Sequence, residues 1–336
     1  MTARSLGPVI CPVCEAIFTP LQKRIKTCSM TCGYQWRKQR QKAKKAGEPL
    51  PPEPEPAQPV ANPDPHPEPF PEANGWKIPD PPAVTGRTGR YEKILFIPDI
   101  HCGDHDEKAV ALMLGVVQHV QPDRIIQLGD CLDFYGLSRF DKNPLRFAAR
   151  VQYELDVQAE LYLRIHELAP KAFCQQILGN HEERGIRFLW TNPALSDLRA
   201  LQLPNLMRLG DLGWEPVVHK EIWLASESFV VRHGTHVRRW GGYSAKAEMD
   251  TTLVSGISGH THRQALYPLS SHAGELVWCE AGNLQRNAPE WHTSFQNWQQ
   301  GVVLAEFERD GNAFDLDPIR FRRSYRCMVG TVELSA

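Results

Sequence analysis

Apolar runs that end in polar residues recur along the chain from residue 90 onward. The segments "KILFIPDI" (93–100), "RIIQLGD" (124–130) and "KAFCQQILGN" (171–180) have the length and apolar character of buried strands. Between them, apolar residues return at spacings of three and four, which predicts two amphipathic helices. Their apolar faces consist of Ala109, Met113, Val116, Val117 and Val120, and of Val151, Leu155, Ala159, Tyr162 and Ile165. This β-α-β-α-β order predicts parallel strands joined by crossover helices.

The pattern after residue 220 predicts short strands with few helices between them. The segments are "EIWLA", "SFVVRHG", "LVSGISGH", "ELVWCEAGN" and "GVVLAEFE", and Asp310-Gly311 marks a hairpin turn. We therefore predict an α/β fold in which two mixed sheets form a sandwich flanked by helices. The region 90–336 is long enough to bury one core of this kind.

The residues before this region have a different composition. Residues 48–82 contain fourteen prolines, seven acids and one lysine. Such a segment cannot form a helix interior or a central strand, and it predicts an exposed polyproline-II spacer. A ligand for an SH3-type domain is the alternative. We thus expect a basic module at 1–47, an acidic proline-rich linker at 48–89 and the α/β domain at 90–336.

The basic module contains four cysteines with metal-site spacing. Cys11 and Cys14 are separated by two residues, Cys28 and Cys32 by three, and thirteen residues lie between the pairs. Four thiolates at this spacing are typical of a structural zinc site, which lets a short segment fold without a large core. The module resembles short zinc ribbons and treble-clef knuckles. Four unconnected cysteines are the alternative.

Cations and aromatic rings follow the last of these cysteines. The segment "GYQWRKQRQKAKK" holds Tyr34, Trp36, Arg37, Lys38, Arg40, Lys42, Lys44 and Lys45. This combination predicts contact with a nucleic-acid backbone, and a solvated basic helix is the alternative.

The whole sequence predicts a cytoplasmic protein with reduced thiols. No apolar run approaches the ~18 residues that span a bilayer, and the N-terminus lacks the apolar core of a signal peptide. The remaining five cysteines are scattered singly, which argues against a disulfide framework.

Side chains that carry oxygen or nitrogen donors follow five of the predicted strands. In chain order they are Asp99 and His101; Asp130 and Asp133; Asn180, His181 and Glu182; His233; and His260 and His262. Each motif alone is typical of a surface turn, but ligands in α/β sheets bind at the carboxyl ends of strands. Carboxylate, amide and imidazole donors suit Mn, Fe or Zn. There are too many donors for one such ion, so we predict two ions that share a bridging carboxylate.

The order "DIH…GDCLD…GNHE…HG…GHTH" resembles the calcineurin-like metallophosphoesterase superfamily over about residues 91–325. The resemblance implies that Asp99, His101 and His262 hold one metal, that Asn180, His233 and His260 hold the other, and that Asp130 bridges both. It also implies that His181 faces the leaving group and that Asp133 pairs with His181. Glu182 is expected to cap the helix that follows.

The same resemblance implies phosphoester hydrolysis by attack of a metal-bridging hydroxide, without a covalent intermediate. Protein Ser/Thr phosphatases of this superfamily carry arginines at two positions that are Phe134 and Leu178 here. Nearby Arg139, Arg184 and Arg187 are close enough in sequence to replace those arginines in phosphate binding, but solvated helix-face arginines are the favoured interpretation.

A nuclease or phosphodiesterase acting on nucleic acid is therefore the favoured function, in a chain similar to phage or prophage proteins. The alternative is a phosphomonoesterase of a nucleotide or other small molecule, whose zinc module binds a protein partner. A binding protein with an inactive site is disfavoured, because all seven ligand positions hold competent donors.

Overall fold

The computed structural model describes residues 9–15, 17–18, 30–50, 89, 91–139, 141, 151–216, 221–225, 227–286, 296–309 and 311–336. Most of the predicted linker (51–88) and Asp310 of the predicted hairpin turn lie outside these residues. The chain divides into two compact units, Met1–Pro82 and Ala83–Ala336. The finer division into module, linker and α/β domain stays a prediction.

In the first unit, the residues that the structure describes form one short hairpin and one helix. Strands β1 (Val9–Ile10) and β2 (Ile17–Phe18) pair antiparallel, and helix α1 spans Met30–Ala46. Lys44 and Lys45 lie in the last turn of this helix, where their positive charges stabilise the negative end of the helix dipole. Gly47 follows with φ of 69°, the left-handed conformation that commonly ends a helix.

A six-stranded mixed sheet forms one half of the second unit. Its order is β13 (Phe314–Arg320), β12 (Gly301–Glu308), β3 (Tyr91–Ile97), β4 (Arg124–Gln127), β5 (Phe173–Gln176) and β6 (Trp214–Pro216). Strands β3 to β6 run parallel, β12 pairs antiparallel with β3, and β13 pairs antiparallel with β12.

The other half is a five-stranded mixed sheet. Its order is β10 (Gln264–Ser271), β11 (Gly274–Ala281), β9 (Ser255–Ser258), β8 (Phe229–Arg232) and β7 (Glu221–Leu224). A separate hairpin, β14 (Arg326–Val329) with β15 (Val332–Ser335), follows near the end of the chain.

Helices cover the outer faces of the two sheets. They are α2 (Glu107–Val120), α3 (Val151–Leu168), α4 (Glu182–Thr191), the one-turn α5 (Leu203–Leu206) and α6 (Tyr243–Thr252). Three short 3-10 turns lie at Tyr135–Leu137, Pro193–Leu195 and Arg199–Leu201.

The alternation along β3 shows how the layers are built. Ile94 and Phe96 join a core shared with Val231 and Ile257 of the other sheet, so the two sheets pack face to face. The intervening residues, such as Leu95, point to the opposite side and pack with α2 and α3. Helix α6 covers the far face of the five-stranded sheet, where its residues pack on Trp278.

This arrangement confirms the predicted two-sheet α/β sandwich. The three parallel strands and both amphipathic helices occur where the pattern placed them, and Ala109, Met113, Val116, Val117 and Val120 are all buried. Strands β6, β10, β14 and β15 and helix α6 were not predicted individually. Several of these are half-exposed edge or surface elements, in which the apolar pattern is weak.

Candidate metal centre

The polar residues that follow five strands meet at one edge of the sandwich. Those after β3, β4 and β5 come from the six-stranded sheet, and those after β8 and β9 come from the five-stranded sheet. Five of the seven predicted ligands are buried, His260 is partly buried and Asn180 is exposed. The structure therefore brings together donors that are up to 163 positions apart in the sequence, from Asp99 to His262.

One group of donors consists of Asp99, His101 and His262. A ligand atom from each lies within 4.8 Å of the others. The Nε2 atoms of His101 and His262 are 3.1 Å apart, and the Nε2 of His262 is 3.5 Å from Asp99 Oδ1. The Nδ1 of His101 lies 3.2 Å from Asp133 Oδ1, which favours the tautomer whose Nε2 lone pair faces the group. Nitrogen lone pairs that converge beside a buried carboxylate fit a cation.

A second group consists of Asp130, His233 and His260, with Asn180 beside them. The Nε2 of His233 lies 3.3 Å from Asp130 Oδ2 and 3.0 Å from Asn180 Oδ1. The Nδ1 of His233 donates to the Leu128 carbonyl at 2.8 Å, which leaves Nε2 free to bind a metal. Imidazole, carboxylate and amide oxygen form a donor set suited to Mn, Fe or Zn.

Asp130 connects the two groups. Its Oδ2 is 3.3 Å from the Nε2 of His233 in the second group and 4.0 Å from the Nε2 of His101 in the first. A second connection is made by Asp99, whose carboxylate accepts the His260 backbone N–H at 2.9 Å. The donors thus form one continuous cluster with a carboxylate at its middle.

The electrostatics of the cluster favour a positive charge at its centre. Burial alone would raise the pKa of Asp130, but the neighbouring His181 and His233 outweigh burial and hold the pKa well below its usual range. Burial alone would lower the pKa of His233, yet Asp130 and Asp99 raise it to about 10. Ionised carboxylates in a buried site need a compensating cation, which a metal supplies as well as an imidazolium does.

The predicted catalytic pair lies beside this cluster. The Nδ1 of His181 is 2.9 Å from Asp133 Oδ1, and the Nε2 of His181 is 3.8 Å from Asp130 Oδ2. Burial lowers the pKa of His181, but Asp130 and Asp133 outweigh burial and raise it. The pairing of His181 with Asp133 that the resemblance implied is therefore present as a contact.

Arg184 also reaches this pair, which corrects the expectation that it is solvated. It lies one turn after His181, donates from Nη1 to the Asp133 carbonyl at 2.8 Å and places Nη2 2.9 Å from His181 Nε2. Side chains three residues apart on a helix lie close together, so the spacing of His181 and Arg184 could have predicted this contact from the sequence. Arg187 is exposed and pairs with Glu183 at 3.0 Å, and Arg139 is exposed, as expected.

The backbone at the ligands is strained. Four of the seven adopt left-handed φ although they are not glycine: 52° at His101, 51° at Asp130, 67° at His260 and 57° at His262. Strain of this kind persists only where the surrounding structure enforces it, and it concentrates at functional sites.

The two glycines at Gly179 and Gly259 allow this close packing. A Cβ atom at Gly179 would clash with the Asp130 carboxylate, and one at Gly259 would clash with the Asp99 carboxylate. A side chain at either position would therefore displace a ligand.

Glu182 lies in the first turn of α4, where a structural carboxylate was expected, and it also makes contacts that the sequence did not predict. Its side chain is buried, and its oxygens accept the backbone N–H groups of Asp130, Leu132 and Gly179, each at 2.9 Å. Burial raises the pKa of this carboxyl to about 7. Glu182 thus holds the turn after β4 against the turn after β5, and it orients Asp130 through the backbone.

We expect Glu182→Ala to lower the free energy of unfolding by about 3 kcal/mol or more, because it orphans three buried donors at about 1–3 kcal/mol each. Urea unfolding followed by circular dichroism measures this change. Glu167→Ala, which removes an exposed carboxylate on α3, is the matched control. A loss for Glu182→Ala no larger than that of the control would show that these three hydrogen bonds contribute little.

The first unit brings three of its four cysteines together. The sulfur atoms of Cys11, Cys14 and Cys32 lie within 4.8 Å of one another, and Cys28 lies outside the described residues. Three converging thiols at this spacing fit a zinc ion.

Comparison with known proteins gives distant similarities. No family model matches the chain. It is 26% identical over 244 residues to the gene 54 protein of Mycobacterium phage L5, covering 68% of this chain and 94% of that protein. The gene 54 protein of Mycobacterium phage D29 is also 26% identical, over 234 residues, with 66% and 90% covered. The expected similarity to phage proteins is confirmed.

Similar solved structures include Yfce, a phosphoesterase from E. coli, with 16% identity, a TM-score of 0.31 and coverage of 67% of this chain and 98% of that one. A Vps29 variant from Entamoeba histolytica has 12% identity, a TM-score of 0.32 and coverage of 68% and 99%.

Among the described residues, no helix has the length and apolar character needed to cross a membrane. The sheet sandwich, the strand-end donors and their grouping around Asp130 agree with the sequence motifs. In these respects the chain resembles the calcineurin-like metallophosphoesterase superfamily.

Proposed function

We propose that this protein is a metal-dependent phosphoesterase, and that its substrate is a phosphodiester of nucleic acid. The observation that carries the proposal is the convergence of seven donors in two groups that share Asp130. Asp99, His101 and His262 would hold one divalent cation, Asn180, His233 and His260 would hold the other, and Asp130 would bridge them. When bound, two such cations activate water and neutralise charge on the phosphate oxygens.

The chain's own residues supply the proton chemistry. Asp133 orients the His181 ring through Nδ1, so that Nε2 faces the cluster. His181 would donate a proton from Nε2 to the departing oxygen, a role that suits an imidazole whose pKa is raised. Arg184 lies beside the same nitrogen, and its guanidinium can donate to a phosphate oxygen there.

Two features favour a nucleic-acid diester over a phosphoprotein. Phe134 and Leu178 stand where protein phosphatases of this superfamily carry arginines, and Phe134 is fully buried. Helix α1 exposes Arg37, Lys38, Lys42, Lys44 and Lys45, and Arg40 lies 4.8 Å above the Trp36 ring. A basic face with an aromatic ring suits a polyanion with bases.

We propose further that Cys11, Cys14, Cys28 and Cys32 hold one structural zinc. The clustering of three of these thiols supports this site. A phosphomonoesterase acting on a nucleotide, with the first unit binding a protein, is the second candidate, because nothing in the donor set itself requires a diester.

A substrate panel with Mn²⁺ tests the proposed function. We expect faster hydrolysis of bis-p-nitrophenyl phosphate than of p-nitrophenyl phosphate, and cleavage of DNA or RNA. Lys38→Gln with Lys42→Gln should weaken DNA cleavage and reduce its salt dependence, while small-diester hydrolysis is unchanged. Lys108→Gln with Lys171→Gln removes the same charge elsewhere and serves as the control. Preference for the monoester, with no cleavage of nucleic acid, would favour the second candidate.

A further inference from the structure

An exposed loop next to the metal centre carries both cations and an aromatic ring. This loop, residues 235–242, follows β8 and has the sequence "THVRRWGG". Arg238, Arg239 and Trp240 are all exposed, and Trp240 exposes 55% of its surface. Tyr243, directly after the loop, is 62% exposed. Large aromatic side chains in water at the edge of a site indicate a binding surface.

Two buried carboxylates hold the ends of the loop. Glu248 accepts the backbone N–H groups of Thr235 and His236 at 2.6 and 2.8 Å. Glu280 accepts the N–H of Gly242 at 2.7 Å. Both side chains are almost completely buried, so these bonds are shielded from water. The loop is therefore fixed at its two ends while its middle is presented to solvent.

The same contacts connect the loop to the metal centre. Glu280 also accepts the hydroxyl of Thr261 at 2.7 Å, and Thr261 stands between two proposed ligands, His260 and His262. Arg263, the residue after His262, donates from Nη1 to the Arg238 carbonyl. A strand held by this loop would consequently lie beside the proposed ligands His260 and His262.

The loop's chemistry matches a single strand of nucleic acid. The guanidinium carbon of Arg239 lies 5.0 Å from the centre of the Trp240 ring, a cation–π arrangement. An exposed indole offers a face on which an unpaired base can stack, and arginines bind phosphate oxygens through two parallel hydrogen bonds. A duplex keeps its bases stacked on each other, so it cannot use the indole face in this way.

We propose that loop 235–242 binds single-stranded nucleic acid by stacking a base on Trp240 and contacting the adjacent phosphates with Arg238 and Arg239. The loop thereby delivers a phosphodiester of that strand to the metal centre. This inference rests on the proposed function for its catalytic consequence, but strand binding can be measured separately.

The test measures binding of a fluorescein-labelled twelve-residue oligothymidylate to the full chain, without added Mn²⁺, by fluorescence anisotropy. Trp240→Ala should weaken binding by about 5- to 150-fold, since one base stacked on an aromatic side chain contributes about 1–3 kcal/mol. Trp240→Phe keeps a ring and should retain most of the binding. Trp223→Ala, which removes a 45% exposed indole from β7, is the control and should bind as the unmodified protein does.

Three further measurements distinguish base stacking on the loop from nonspecific binding of nucleic acid and from a general loss of activity. Arg239→Gln should reduce the salt dependence of binding by about one phosphate contact. Hydrolysis of methyl p-nitrophenyl phosphate should be unchanged in Trp240→Ala, because that diester carries no base. Duplex DNA of the same length should bind Trp240→Ala and the unmodified protein equally well.

Unchanged binding of the oligothymidylate to Trp240→Ala would overturn the proposal, as would equal weakening for single strand and duplex. Absence of oligothymidylate binding by the unmodified protein would also overturn it. If the unmodified protein hydrolyses no diester but Trp240→Ala still loses single-strand binding, the proposed function fails and the loop assignment stands.

Discussion

Asp130→Asn is expected to prevent binding of both cations proposed for the metal centre and to lower diester hydrolysis by at least about 10³-fold. Asp130 contacts donors of both groups, and asparagine offers one neutral oxygen in place of a carboxylate that can bridge. Metal ions contribute several kcal/mol of transition-state stabilisation, and each 1.4 kcal/mol is a factor of ten in rate. Elemental analysis after gel filtration should find about two metal equivalents fewer than in the unmodified protein. Steady-state rates with bis-p-nitrophenyl phosphate measure the loss of activity.

The substitution preserves the size of the side chain, so a loss of metal can be separated from a loss of fold. Asp211→Asn makes the same chemical change at a side chain that is 72% exposed and serves as the control. The zinc proposed for the cysteine cluster gives an internal reference, because its ligands are unaffected. If Asp130→Asn kept its full metal content and rate, the bridging role would be wrong.

The elements and the ligands could be predicted from sequence because each depends on a local pattern. Apolar runs of strand length gave the positions of β3, β4 and β5, and Asp99, Asp130 and Asn180 each come within four residues of the end of the strand before them. Parallel strands end at the same edge of a sheet, so a list of strand ends is also a list of neighbours in space. Strand ends can be located from the sequence in this way only where the apolar pattern of the strands is strong.

The role of Glu182 depends on contacts between distant parts of the chain, so the sequence predicted a structural carboxylate but not the backbone donors that it holds. Its carboxylate accepts hydrogen bonds from the backbone N–H groups of Asp130 and Leu132, which lie 52 and 50 residues earlier in the chain. A carboxylate in the first turn of a helix is most often a cap, and only the tertiary arrangement places backbone donors of another turn beside it.

Arg184 and Trp240 were missed for a related reason. The helix that contains Arg184 begins at Glu182, and a shift of one residue would direct its guanidinium away from His181. Tryptophan is buried more often than not, so no sequence rule marks Trp240 as exposed. The side chains that shape substrate binding were thus harder to predict than the ligands, because their direction is set by packing.

His181→Ala is expected to slow turnover by about 10²–10⁴-fold while the metal content is unchanged, since this is the usual contribution of a positioned acid or base. The size of the loss should depend on the leaving group. A p-nitrophenolate departs readily without a proton, so hydrolysis of bis-p-nitrophenyl phosphate should slow little. A dinucleotide must release an alkoxide, so its hydrolysis should show the full loss. Rates for both substrates, with metal analysis of the same sample, measure the effect.

The comparison of leaving groups separates two roles that the geometry allows for His181. Its ring nitrogen lies within 4.8 Å of ligand atoms of His101 and Asp130, a distance compatible with metal binding. The charge of Asp130 and the hydrogen bond that His181 donates from Nδ1 to Asp133 outweigh burial and raise the pKa of His181, which instead favours a proton donor at this position. If His181 is a metal ligand, its replacement should release metal and slow hydrolysis of both substrates equally. If His181 is a proton donor, its replacement should leave the metal in place and slow chiefly the hydrolysis of the dinucleotide. His272→Ala removes an exposed imidazole from the turn between β10 and β11. It should change neither the metal content nor the two hydrolysis rates, and it controls for the loss of a histidine.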